Sequence, residues 1–133
     1  MTTNKEIVRQ FYARIISQGD LGAIEQLVHP EFVEHNTLPG AASGREGLRQ
    51  FVMGFHASFW QVNYAIDDLI AEGDRVAVRG VVHAIHHGAF RGIAATGRKI
   101  QWDTIHVLRI QDGLIIERWV QVDMVGLMAQ IQD

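Results

Sequence analysis

Ile100-Gln101-Trp102-Asp103-Thr104-Ile105-His106-Val107-Leu108-Arg109-Ile110, then Gln111-Asp112-Gly113, then Leu114 to Asp123, is the stretch that decides how this chain folds. Two runs rich in β-branched and aromatic residues flank an Asp-Gly pair, the strongest short-range signal for a β-hairpin. With Asp112-Gly113 as a two-residue turn, Gln111 pairs with Leu114. The register then sets Leu108 opposite Glu117, His106 opposite Trp119, Thr104 opposite Gln121 and Trp102 opposite Asp123. Strand side chains alternate between faces, so these eight share one surface. The other surface takes Ile105, Val107, Leu114, Ile116, Val120 and Val122, broken by Gln101, Asp103, Arg109 and Arg118.

Two tryptophans beside an aspartate and a histidine describe an apolar pocket with a few placed polar groups, the make-up of a small-molecule site. A wet sheet edge rimmed by tryptophan is the alternative. A slip of one residue would send every side chain to the opposite face, so the pocket depends on the register.

Working back from the hairpin, the order is helices first and then an antiparallel meander. Thr3-Asn4-Lys5-Glu6 fits a capping box. Ile7, Val8, Phe11 and Ile15 follow at helical spacing, and Gly19 is a natural stop. Asp20 can cap a short helix carrying Leu21, Ile24, Leu27 and Val28, which His29-Pro30 ends. Glu31 to Asn36 is strand-like. Residues 37–44 form the loop and the candidate lid. Ser43-Gly44-Arg45-Glu46 is a second capping box, opening a helix whose stripe of Leu48, Phe51, Val52, Phe55 and Phe59 belongs to a core. The period then changes to two: a strand over 61–71, a turn at Glu72-Gly73-Asp74, a strand over 75–87 and a Gly-rich connection over 88–97. Beyond the hairpin, 124–130 makes a short closing helix. The result is one α+β domain spanning 1–133, with helices gathered on one side of a curved sheet.

The 133 residues can bury roughly two-thirds of their unfolded surface without staples. Net charge is −3 with no basic block, which argues against nucleic acid and anionic membrane as partners. The absence of cysteine removes disulfides, thiolate metal sites and thiol nucleophiles. With neither an apolar signal core nor an apolar run near 18 residues, the expectation is a cytoplasmic protein.

Histidine is the abundant reactive type, with seven copies. On one strand His83 and His87 share a face about 13 Å apart while His86 points the other way, so this cluster cannot ligate one metal by itself. No nucleophile elbow, phosphate loop or dinucleotide fingerprint is present. Acid–base work by carboxylate and imidazole remains. Asp123, in a pocket walled by Trp102 and Trp119, is the candidate base, its pKa raised by desolvation. His106 or His86 can hydrogen-bond a carbonyl and stabilise the enolate formed when Asp123 removes the neighbouring proton. Asp123 reads equally as the N-cap of the helix from Met124.

Phe32-Val33-Glu34-His35-Asn36, His86-His87-Gly88-Ala89-Phe90-Arg91-Gly92, Ala95-Thr96-Gly97-Arg98, the run Asp112 to Trp119, Asp123 and Gly126-Leu127-Met128-Ala129-Gln130 occur in the order of the SnoaL-like polyketide (ester) cyclases. The whole chain resembles that family and, more broadly, the cone-shaped fold of nuclear transport factor 2 (NTF2) and ketosteroid isomerase. The resemblance implies N-terminal helices packed on a curved antiparallel sheet that encloses a pocket. It also implies an enzyme of isomerase or lyase class that needs no metal or organic cofactor. Asp123 stands where the family's acid–base aspartate is expected, enolising a β-dicarbonyl or polyketide-like substrate for intramolecular aldol ring closure. His35, Asn36 and His106 resemble the family's polar pocket residues, and His86, Trp102, Trp119 and Gln121 complete the expected lining. The step Ile85-His86-His87-Gly88 departs from the family's usual Thr-His-x-Gly. A hydrolase or lyase, and a non-catalytic hydrophobic-ligand module, are the competing readings. The apolar outer sheet face predicts a homodimer.

Overall fold

In a computed structural model, residues 2–36 and 40–132 are described. The chain runs α1 (Asn4–Gln10), a π-helical segment (Phe11–Ser17), α2 (Ala23–Leu27), β1 (Val28–Glu34), α3 (Gly44–Ser58), β2 (Phe59–Glu72), β3 (Arg75–His86), β4 (Lys99–Gln111), β5 (Leu114–Val122) and α4 (Met124–Ile131). The strands form one sheet in the order β1-β5-β4-β3-β2.

The Asp-Gly hairpin forms as read, with Gln111 opposite Leu114. Asp112 and Gly113 take φ of 54° and 74°, the paired positive values that a two-residue primed turn requires. Two pairs further on, the expected register fails. Ile110 pairs with Ile115, but Arg109 pairs with Glu117, so Ile116 is the extra residue of a β-bulge. Ile115 and Ile116 are therefore both buried, and everything beyond them changes face. Leu108 stands opposite Arg118, His106 opposite Val120 and Thr104 opposite Val122. Arg118 turns inward, while Glu117, Trp119 and Gln121 join the outward series of Arg109, Val107 and Ile105.

Alternation is cleanest on β3 and β4. Val76, Val78, Gly80, Val82, Ala84 and His86 face inward on the first; Ile100, Trp102, Thr104, His106, Leu108 and Ile110 do so on the second. The first helical stretch covers this concave side, contributing Ile7, Val8, Phe11, Tyr12 and Ile15 to the buried cluster. Each such apolar side chain stabilises the fold by roughly 1.5–3 kcal/mol on burial. Bulges in β2 between Trp60 and Asn63 and between Ile66 and Asp68 bend the sheet around these helices. Gly80 is needed at a close approach: a Cβ there would run into the ring of Tyr64 and the carbonyl of Ala65.

The N-terminal half differs from expectation in several places. Thr3 caps α1 as read, its side chain accepting from Glu6 N. Asp20 caps nothing; it pairs with Arg14, and α2 begins after Gly22. Val28 starts a strand rather than ending a helix, with Pro30 inside it. β1 is an edge strand, where a missing N–H donor is tolerated. β1 runs parallel to β5, so the sheet is antiparallel except along this edge. Ser43 stands at the N-cap of α3 without a side-chain capping bond. Residues 37–39 of the candidate lid lie outside the described residues.

Candidate active site

The concave face carries a buried polar centre between the π-helical segment, β1, β4 and β5. Tyr12 Oη and His106 Nδ1 are 2.5 Å apart. Arg118 Nη1 donates to Glu34 Oε2 at 3.0 Å, and its guanidinium lies over the rings of Phe11 and Tyr12 in hydrogen-bonding reach of the phenol. Glu34 and Arg118 are adjacent partners of the β1–β5 ladder, which places this ion pair inside the cone. Tyr64 stacks on Tyr12 with centroids 4.2 Å apart and shares a hydrogen bond with Thr104 Oγ1.

Water is excluded here: Tyr12, His106 and Arg118 are 1, 3 and 4% exposed. Burial pushes the Tyr12 phenol well above its ordinary value. The imidazole of His106 is pushed down to about 2 by burial, with the Arg118 charge acting in the same direction. Glu34 is raised by burial against the opposing pull of Arg118. Both members of the Tyr12–His106 pair are thus neutral at physiological pH. His106 Nε2, Arg118 Nε and Glu34 Oε1 are buried polar atoms without a protein partner.

Toward the start of β4 the same face becomes aromatic. Trp102, 5% exposed, packs against Phe59 and Phe55, with centroids 5.2 and 6.2 Å away. Phe59 also contacts Phe90 and His86. His86 is fully buried, and its Nδ1 accepts from the backbone N–H of Thr96 at 3.2 Å. Its proton therefore sits on Nε2, which is buried and unpartnered. The structure thus brings His86, Trp102 and His106 onto one concave surface.

It does not bring the other expected residues there. Trp119 lies on the outer face, stacked on His35 at 4.6 Å and covered by Arg75. His35 Nε2 bonds Glu117 at 2.8 Å, Asn36 Oδ1 accepts from Val120 N at 2.6 Å, and Gln121 is exposed opposite Ile105. The bulge at Ile116 is the cause for Trp119 and Gln121. Asp123 is exposed at the end of β5, and its Oδ1 accepts from Gly126 N at 2.9 Å as the N-cap of α4. Any Cβ at position 126 would overlap that carboxylate. The desolvated wall of Trp102 and Trp119 expected around Asp123 is absent, because only Trp102 faces inward.

Tyr12, Tyr64, Arg118 and Glu34 were not expected as site residues. A signal for Tyr12 exists in the pairs Ile7-Val8, Phe11-Tyr12 and Ile15-Ile16. Their repeat of four exceeds the α-helical 3.6 and fits a segment containing i→i+5 bonds, a form frequent at functional sites. A depression of about 400 Å³ is lined by residues 83–85 and 99–101 with Gln61 and Gln130, and none of Tyr12, Glu34, His106 or Arg118 borders it. Among the described residues no group of three His, Cys, Asp or Glu could hold a metal ion. No described helix is long and apolar enough to cross a membrane.

A bent, mostly antiparallel sheet wrapped around N-terminal helices, with polar groups sealed in its concavity, defines an NTF2-like α+β cone. Residues 6–131 match the SnoaL-like polyketide cyclase family, and the chain belongs to it. Nogalonic acid methyl ester cyclase of Streptomyces nogalater is 27% identical over 117 residues, covering 86% of this chain and 87% of that protein. Among solved structures, TsrD of Streptomyces laurentii superposes with a TM-score of 0.86 at 28% identity, covering 96% of this chain and 92% of the other. IdmH of Streptomyces antibioticus, proposed to be a polyketide cyclase, gives 0.84 at 28%, covering 96 and 97%.

Proposed function

We propose that this chain catalyses cofactor-free enolisation and intramolecular aldol ring closure of a polyketide-like β-dicarbonyl compound. In this reading the substrate lies along the inner side of β4, its apolar body against Phe55, Phe59 and Trp102. His106 Nε2 donates to a carbonyl oxygen. Asp123 removes the acidic C–H proton, the enolate carbon attacks the second carbonyl, and the proton returns to the alkoxide. The observation that carries the reading is His106 itself: a neutral, water-excluded imidazole with an unpartnered Nε2 on the concave face of a cyclase fold. A preorganised donor in a dry site stabilises developing oxyanion charge far better than one in water.

Support for Asp123 comes from its place after the last strand and from the family; in the resting geometry its carboxylate is engaged as a helix cap. Catalysis requires that carboxylate to swing toward Trp102 and Thr104. The reading extends to a homodimer joined through the outer sheet face, where Ile105, Ile70 and Trp60 are exposed.

Nogalonic acid methyl ester, named by the relative, and simpler β-keto esters are the first substrates to test, with products followed by mass spectrometry and chiral separation. The reading expects an isomeric ring-closed product that Asp123→Asn forms at least about a hundredfold more slowly. Tight binding of these compounds without turnover would instead favour a hydrophobic-ligand module.

A further inference from the structure

The polar centre contains a device for deciding which nitrogen of His106 carries the proton. Tyr12 Oη has one hydrogen to donate, and the neighbouring Arg118, whose guanidinium lies over the Tyr12 ring, is a donor only and cannot accept it. Among the described hydrogen bonds the sole acceptor within reach of that hydrogen is His106 Nδ1, 2.5 Å away. If Nδ1 carried the proton instead, the phenol oxygen would have to accept it and its own hydrogen would be left unpaired in the core. A buried donor left unpaired forfeits its hydration with nothing in return. The neighbouring ring Tyr64 offers no alternative, because its hydroxyl is engaged with Thr104.

We infer that Tyr12, held by Arg118 and Glu34, is a positioning residue that fixes His106 in the tautomer protonated at Nε2, presenting that N–H to a carbonyl or enolate oxygen. The relay runs in one direction: Glu34 accepts from Arg118, the Arg118 guanidinium lies over the Tyr12 ring, and Tyr12 donates to Nδ1. Its atoms come from β1, β5 and the π-helical segment, and none belongs to β4, which carries the histidine. Burial keeps both the phenol and the imidazole neutral, so the proton stays on Tyr12 and the donor on Nε2 persists. His106 is thereby an electrophile and not a base. This use of the tautomer rests on the proposed cyclase function; the tautomer itself does not.

The charged and titratable groups around the ring are Tyr12, Tyr64, Arg118 and Glu34. The test is long-range 1H–15N NMR of ¹⁵N-histidine-labelled protein between pH 5 and 9. His106 is assigned by the resonances lost in His106→Gln and, independently, by those lost in His106→Asn. The expected result is a ring neutral throughout, protonated at Nε2 and with an acceptor-type Nδ1. Tyr12→Phe should shift the Nδ1 resonance and mix the two tautomers. It should also lower kcat for carbon-acid exchange about ten- to a hundredfold, with KM little changed. A ring protonated at Nδ1, a titration midpoint between pH 5 and 8, or a tautomer indifferent to Tyr12→Phe would overturn the inference. The expected spectra in a protein that catalyses no exchange would uphold the relay and sink the cyclase reading, so the two fail separately.

Discussion

Protonating His106 is harder in the folded protein than in the unfolded chain, and that difference fixes a pH dependence. Its pKa falls from 6.5 to about 2 on folding, so the unfolded state binds the extra proton first. The associated stability is complete above pH 6.5 and is lost as pH falls toward 2. Linkage gives a loss of about 2–3 kcal/mol between pH 6 and pH 4 for one such group. Glu34, whose pKa is raised, acts with the opposite sign and gains in relative stability as it is protonated. Urea unfolding of wild type and His106→Gln at pH 7, 6, 5 and 4 isolates the histidine: the wild-type curve should fall more steeply. Parallel curves would mean that His106 titrates normally. At this scale His106 and Trp102 were legible as inward-facing because strict alternation on β4 needs no knowledge of its partner strand. Tyr12 was not, since a tyrosine within an apolar helical stripe has the same pattern whether its hydroxyl is idle or wired to a histidine.

Among the elements, the hairpin shows where sequence reading stops. Asp112-Gly113 declares the turn, because few other residues accept two consecutive positive φ values. Nothing declares the bulge. Ile115 and Ile116 are both apolar, so each fits a buried position, and only the partner strand reveals that both are buried at once. That single residue exchanges Arg118 for Glu117 on the inner face and sends Trp119 outward. The expected pocket wall was lost, and an unexpected ion pair was gained. The end of β5 carries a second consequence. Asp123 caps α4, so Asp123→Ala should cost about 1 kcal/mol while Asp123→Asn, also a good cap, should cost a few tenths at most. Thermal unfolding of both variants checks this; an Asn variant as destabilised as Ala would mean that the cap needs the carboxylate charge. Near-native stability also makes Asp123→Asn a clean reporter of chemistry.

For the whole molecule, element order and alternation were enough to anticipate helices gathered on one side of a curved sheet, since helices followed by a meander must cover one sheet face; the cone itself was what the family resemblance implied. The parallel edge strand escaped because the pairing of β1 with β5 joins segments about eighty residues apart, beyond any local pattern. What covers the outer face bears on assembly. Exposed Ile70, Ile105 and Trp60 lead to the expectation of a homodimer in sedimentation at micromolar concentration; a lone species of 14.9 kDa would contradict it. The most direct test of the central claim is deuterium incorporation from heavy water into β-keto esters, comparing wild type with Asp123→Asn. The account predicts exchange at the acidic carbon with wild type and almost none with the variant. Equal exchange by both would contradict it, because the proton would then be leaving to some group other than Asp123.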